Sequence, residues 1–371
     1  MIYLNIGYNF DFSLLEKLKA LNEKYQKNDI RIYQLYGSLR LSNIGNLVGS
    51  ARPDFRIPDI TLTDFQNIHI PEIHEKGFQF NYVMNSPNPA FWLNHSDAVY
   101  EWIIRFIKKS EIDMITVASP VLLAKMIEPK DFPIEISTIM EIRDLNAIQK
   151  YFSMNNISKI CLSIERNRDI SFLRKASKFP VELLVNEFCS YEGIPCQNFF
   201  RPSCYLLHTV GGNPTHKHKG FPLEWCSRSR LREPVSFLKA KVIYPWDLKR
   251  YHNETGICFF KISGRTLSTD FIASVAEYYM SLGKVYPENM LSLWGHVEEG
   301  ITFEAGNEPI FISSKALIDC DFTKKWFSNP DWRCSENLCS NCVYCYRTFA
   351  YMNRGGNVII PKKTHRLEEI K

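Results

Sequence analysis

The chain has 371 residues, of which 45% are hydrophobic and 13% aromatic, enough apolar surface for a packed core, and this excludes an intrinsically disordered protein. Its net charge of +5 is mild, permitting an anionic partner without demanding nucleic acid. No apolar run approaches the length of a membrane span, and Met1–Ile6 shows no basic region followed by a cleavage site, so we expect a cytoplasmic protein with no membrane segment.

Eight short β-rich runs read as strands along the first part of the chain: Ile2–Ile6, Ile30–Leu35, Phe78–Met84, Met114–Ala118, Ile134–Ile139, Lys159–Ser163, Val181–Val185 and Cys258–Ile262. Amphipathic helical stretches lie between them. In Phe12–Tyr25, Leu14, Leu15, Leu18 and Leu21 recur with helical spacing; Ala98–Lys108 and Arg143–Tyr151 read the same way. Most connections are too long for hairpins. The alternation predicts parallel strands joined by crossover helices, closed as a (β/α)8-type barrel, with a doubly wound open sheet as the alternative.

Two connections are unusually long, 36–77 and 186–235, and loops of that length inside a compact domain tend to be functional. The second holds Cys189, Cys196, Cys204 and Cys226 together with His208, His216 and His218. Those histidines read either as a solvated loop or as anion contacts over the barrel mouth. Beyond the barrel (1–285) we expect a small β-containing appendage over 286–330, then a cysteine-rich metal-binding segment and tail over 331–371.

That last segment contains Cys334, Cys339, Cys342 and Cys345, spaced C-x4-C-x2-C-x2-C. Thiols in the cytosol stay reduced, so dense cysteine there argues for metal rather than disulfides. A C-x2-C-x2-C core is a common spacing for iron–sulfur ligands, whereas tetrahedral zinc usually takes two separated C-x2-C pairs. We therefore expect a [4Fe-4S] cluster at this site, with zinc as the alternative. Cys161, inside an apolar strand, and Cys320 read as buried structural thiols.

The barrel region adds a second group. Asn186 is followed by Cys189 and Cys196 as C-x6-C, then by Cys226 shortly before Arg228, and later by Lys261-Ile262-Ser263-Gly264-Arg265 at the end of the eighth strand. This arrangement resembles the peptidase U32 family, the collagenase-like peptidases. Tyr36-Gly37-Ser38-Leu39, Asn81–Asn85 and Ser137-Thr138 look like that family's early strand ends, and the resemblance spans about residues 1–283.

The resemblance implies a barrel whose relatives include iron–sulfur proteins of oxygen-independent hydroxylation, acting on RNA bases or quinone precursors, besides reported proteases. Carried over by position, Cys189, Cys196 and Cys226 would hold a [4Fe-4S] cluster, giving one or two clusters in all. One branch has a fourth cysteine after an aspartate-leucine pair, where this chain has Asp247-Leu248-Lys249. Cys258, Cys204 or an open iron site remains for that position. The implied partners are an RNA or peptide substrate, an electron-donor protein and a second U32-like protein as hetero-dimer partner.

For the chemistry itself, Lys261 and Arg265 would face the mouth at the end of the last strand, where arginine grips carboxylate or phosphate by a two-point contact. Glu165, at another strand end, would serve as a general base or pair with an arginine. The rival readings are a peptidase, although no H-E-x-x-H helix or G-x-S-x-G elbow occurs, and a non-catalytic partner whose C-terminal metal only staples the fold.

Overall fold

A computed structural model describes residues 1–39, 58–85, 97–126, 132–154, 156–187, 233–265, 267–285, 311–329, 332, 334 and 342–359. Eight strands form a closed barrel: β1 (Ile2–Gly7), β2 (Ile30–Gly37), β3 (Gln79–Met84), β4 (Met114–Val117), β5 (Ile134–Ile136), β6 (Ile157–Cys161), β7 (Val181–Leu184) and β8 (Phe259–Ile262). Each pairs in parallel with its neighbour in sequence, and β8 closes on β1 through Tyr3↔Phe259 to Ile6↔Ile262. The expected closed barrel is the observed one, and the open sheet is excluded. No helix among the described residues is long and apolar enough to cross a membrane.

Local chemistry sets the ends of these elements. β5 stops at Ile136 because the Ser137 side chain accepts a hydrogen bond from Ile139 N and starts a 3-10 turn, so the expected run to Ile139 is cut short. Helix Phe12–Lys24 begins at Asp11, whose carboxylate accepts from Ser13 N, and it buries Leu14, Leu15, Leu18 and Leu21. Asp144 caps Leu145–Phe152, which starts that helix two residues later than its apolar spacing suggested. Ser268 caps Thr269–Met280, whose Ile272, Val275, Ala276 and Tyr279 pack into the core. That helix lies beside Phe12–Lys24, where Lys24 Nζ and Tyr25 OH both donate to Glu277 Oε1.

Beyond the barrel, β9 (Phe311–Ile312) pairs antiparallel with β10 (Val358–Ile359). Helices Ser314–Asp319, Lys324–Ser328 and Tyr344–Arg354 lie between them in sequence. Phe322, Trp326 and Met352 are buried in the same hydrophobic core as the barrel residues, so this segment packs against the barrel. The hydroxyl of Tyr344 donates to Phe322 O, and the two rings stack at 5.6 Å.

Candidate functional site

The centre of the barrel is polar. Each strand contributes one buried side chain to a single network: Asn5, Gln34, Asn81, Thr116, Glu135, Lys159, Glu182 and Lys261. Lys159 Nζ lies 2.8 Å from Glu182 Oε1, 3.1 Å from Glu135 Oε2 and 2.9 Å from Gln34 Oε1. Lys261 Nζ lies 2.6 Å from Glu135 Oε1 and 3.7 Å from Glu182 Oε2. Asn81 donates to Glu135 Oε2 and accepts from Thr116, and Asn5 donates to Glu182.

Two ammonium groups and two carboxylates cancel in charge, which is how ionised groups survive without water. Burial acts to raise the Glu135 carboxyl, but Lys159 and Lys261 outweigh it and hold it at about 2. Glu182 is raised, first by burial and then by the neighbouring Glu135 charge, so it takes up the first proton on acidification. Cys161 also faces this interior, and its sulfur lies with carboxylate oxygens of Glu135 and Glu182 within 4.8 Å, a spacing that could hold an ion. The lysines already supply the positive charge there, and an inserted cation would face both ammonium groups.

Lys261 thus points into the barrel, against the ring of Tyr36 at 4.7 Å, as its parity in β8 requires. Arg265 follows the turn at Gly264, which has φ +124°, and is buried beside the end of β1: a Cβ on Gly7 would lie 2.6 Å from the Arg265 Cα. Asn186 braces the exits of β7 and β8, donating to Ser263 O at 3.0 Å and accepting from Ser263 N at 2.7 Å. Glu165 lies 2.9 Å from Arg143 Nη1, the arginine pairing that was one of its two expected roles. Cys258 sits just before β8, with its carbonyl accepting from Tyr3 N, at the end of the barrel opposite the mouth. Cys189, Cys196, Cys204, Cys226, Cys339 and the three loop histidines lie outside the described residues.

Cys334, Cys342 and Cys345 are described, and all are partly buried free thiols. Cys334 meets the barrel at the turn Ile164–Arg168, which follows β6 and therefore belongs to the mouth. Arg168 is fully buried; its Nη2 donates to Leu238 O at 2.9 Å and also to Ala240 O, and its Nη1 donates to Cys334 Sγ at 3.8 Å. Cys345 Sγ shares the Leu238 carbonyl, at 3.6 Å. Lys325 Nζ donates to Cys342 Sγ at 3.6 Å.

Burial pushes the Cys345 thiol up to about 11, against the pull of Arg168, so at neutral pH it keeps its proton unless a cation takes the sulfur. Cys334 and Cys342 both act electrostatically on Cys345, but the three sulfurs do not all lie within 4.8 Å of one another. Cys334 and Cys342 each accept from a cationic N–H group, and the wholly buried Arg168 Nε, which has no hydrogen-bond partner, marks the place as polar. Next to this site, Lys239 Nζ reaches Glu233 Oε1 and Tyr346 OH, both at 2.9 Å. Glu233, the first described residue after 187, also accepts from Tyr346 OH and so lies beside the cysteine-bearing helix.

Lys159, Glu135, Glu182 and Arg168 did not stand out as functional in sequence. The available signal was parity: each of the first three is a lone charge inside an apolar strand, and parallel strands are covered on both faces. Arg168 carried no such signal, because it sits in a turn where arginine is ordinary.

No protein-family model matches the chain, and no curated protein matches it. The chain is similar to a solved structure of a U32 peptidase, with 14% sequence identity and a TM-score of 0.46 over 71% of this chain and 92% of that one.

Proposed function

We propose that the chain is a U32-like metalloprotein whose C-terminal cysteines hold an iron–sulfur cluster, or zinc in its place, at the barrel mouth. With a second cluster on Cys189, Cys196 and Cys226, it would carry out an oxygen-independent hydroxylation or related redox modification of an RNA base, a peptide or a small aromatic precursor. The observation that carries this reading is the spacing C-x4-C-x2-C-x2-C, with Cys334 seated against the buried Arg168 at the end of the barrel where (β/α)8 enzymes react. The motif C-x6-C with Lys261-Ile262-Ser263-Gly264-Arg265 supports the second half of the proposal.

A cluster would supply one-electron transfer. The surrounding residues have narrower tasks. Arg265 is the group to hold an anionic part of the substrate. Lys261, fixed by Glu135, belongs to the charge-balanced polar floor of the barrel. Asn186 keeps the β7 and β8 exits in register so that both face the same volume. Glu165, already engaged by Arg143, is poised to exchange that partner for a substrate donor.

Anaerobic purification, with a visible spectrum and counts of iron, sulfide and zinc, tests the proposal. Broad visible absorbance with about four irons per cluster supports the redox reading, and about one zinc with no iron supports a structural staple. Changing Cys339 and Cys342 to serine should remove the C-terminal centre alone. Loss of all iron in that variant overturns the two-site assignment, and a metal-free wild-type protein overturns the proposal.

A further inference from the structure

Three separate stretches of chain meet on Arg168. Its backbone ends the turn after β6, and its Nη2 donates to Leu238 O at 2.9 Å and to Ala240 O. Its guanidinium lies 4.6 Å from the Trp326 ring and 5.7 Å from that of Phe322, both in the C-terminal segment. Arg168 is completely buried, with no carboxylate partner among the described residues. A guanidinium cannot shed its proton to escape burial, so carbonyl dipoles and ring faces must offset its desolvation. Withdrawing either neighbour leaves that charge worse compensated.

The two neighbours also hold each other. Leu238 O accepts from Cys345 Sγ at 3.6 Å as well as from Arg168. Tyr346, the next residue, donates to Glu233 Oε1. Lys239 Nζ reaches Tyr346 OH and Glu233 Oε1, both at 2.9 Å, and lies 4.5 Å over the Tyr346 ring. Helix Tyr344–Arg354 therefore grips both ends of the stretch from Glu233 to Lys239. The helix inside that stretch, Ser236–Lys239, has only four residues, too few to be stable without such support. Further along, Asp247 accepts from Thr323, and Arg250 lies 3.1 Å from Asp321 and 4.1 Å over Phe327. These contacts tie the same C-terminal segment to the start of helix Leu248–Thr255.

We propose that the C-terminal segment is a clasp that fixes residues 233–240 against the barrel mouth, with Arg168 as its pin and Tyr346 as its catch. Those residues follow, in sequence, the connection that carries Cys189, Cys196 and Cys226, so the clasp anchors one end of that connection at the mouth. The proposal stands on the contacts alone and holds whether or not the cysteines bind metal. It makes two stretches depend on each other although 107 residues separate Lys239 from Tyr346. Such a unit opens locally, at a lower free energy than the barrel strands unfold.

Hydrogen–deuterium exchange on the full-length protein, read peptide by peptide, tests this. Tyr346→Phe removes the hydroxyl that meets Glu233 and Lys239 and keeps the ring beneath Lys239. It should speed exchange in residues 235–240 by about 2- to 10-fold, the weight of one hydrogen bond, and leave β1–β5 at wild-type rates. Glu233→Gln perturbs the contact from the other side and should speed exchange in residues 344–352. Arg168→Met should loosen 235–240 and 322–327 together; should it fail to fold, the Tyr346 and Glu233 variants decide alone. Unchanged exchange in 235–240 for Tyr346→Phe, or in 344–352 for Glu233→Gln, overturns the clasp. A rise spread evenly over the barrel strands overturns it too, because the segment would then have no opening of its own.

Discussion

Lys159 shows how one side chain can hold the barrel together. It touches Glu135, Glu182, Gln34 and the Tyr33 hydroxyl, and it is almost wholly buried. Lys159→Met would leave Glu182 with a distant lysine and the Asn5 amide, and Glu135 with Lys261 and Asn81. Breaking a buried ionic network by removing one partner typically costs about 3–5 kcal/mol. The double variant Lys159→Met/Glu182→Leu removes the stranded charge as well, so it should be less destabilised than Lys159→Met alone. Urea unfolding of the three proteins measures this, and a double variant less stable than the single one would contradict a charge-compensation role. The residue pattern of β5, β6 and β7, one inward charge among isoleucines, valine and leucines, hinted at this in the sequence. Which charges meet was decided by barrel closure, since Lys159 and Gln34 are 125 residues apart.

At the scale of elements, the contact between the end of β1 and the turn after β8 sets where Arg265 stands. Gly7 is the last residue of β1, and no Cβ fits there because the Arg265 backbone occupies the space at 2.6 Å. Gly7→Ala must push the β8 exit away from β1. We expect a loss of about 1–3 kcal/mol, the usual cost of overpacking a filled site, read as a lower urea midpoint. A neutral Gly7→Ala would show that the turn carrying Arg265 is free to move. The strands and most helices were legible from local pattern: leucine spacing in Phe12–Lys24, the cap at Ser268 and the β-branched runs all act over a few residues. Less legible were short interruptions such as the Ser137 turn, where a serine side chain competes with the strand ladder.

At the scale of the whole molecule, the C-terminal segment is fastened to the barrel through Asp247. Its Oδ1 accepts from Thr323 Oγ1 at 3.0 Å, its Oδ2 has no hydrogen-bond partner, and Arg250 pairs with Asp321 close by. Burial raises the Asp247 carboxyl from 3.8 to about 7, while Thr323 and Arg250 act to lower it and Asp321 to raise it. The folded protein therefore binds this proton more tightly than the unfolded chain. Stability from this group is greatest below pH 4 and falls as pH rises toward 7. Asp247→Asn lacks the ionisation, and between pH 5 and pH 8 the wild type should lose on the order of 2–3 kcal/mol relative to it. Unfolding free energies at the two pH values check this, and parallel curves would mean that Asp247 is ionised throughout.

The same contrast of ranges separates the two kinds of knowledge about this protein. Strand and helix identity, closure into a parallel barrel, and the grouping of cysteines at 334–345 were readable along the chain, because periodicity and spacing are properties of neighbours in sequence. The polar barrel centre, the choice of Arg143 as the partner of Glu165 and the placing of Arg168 under Cys334 were not. Each depends on which residues meet after the chain has closed on itself, and the 166 residues between Arg168 and Cys334 leave no periodic trace of that meeting.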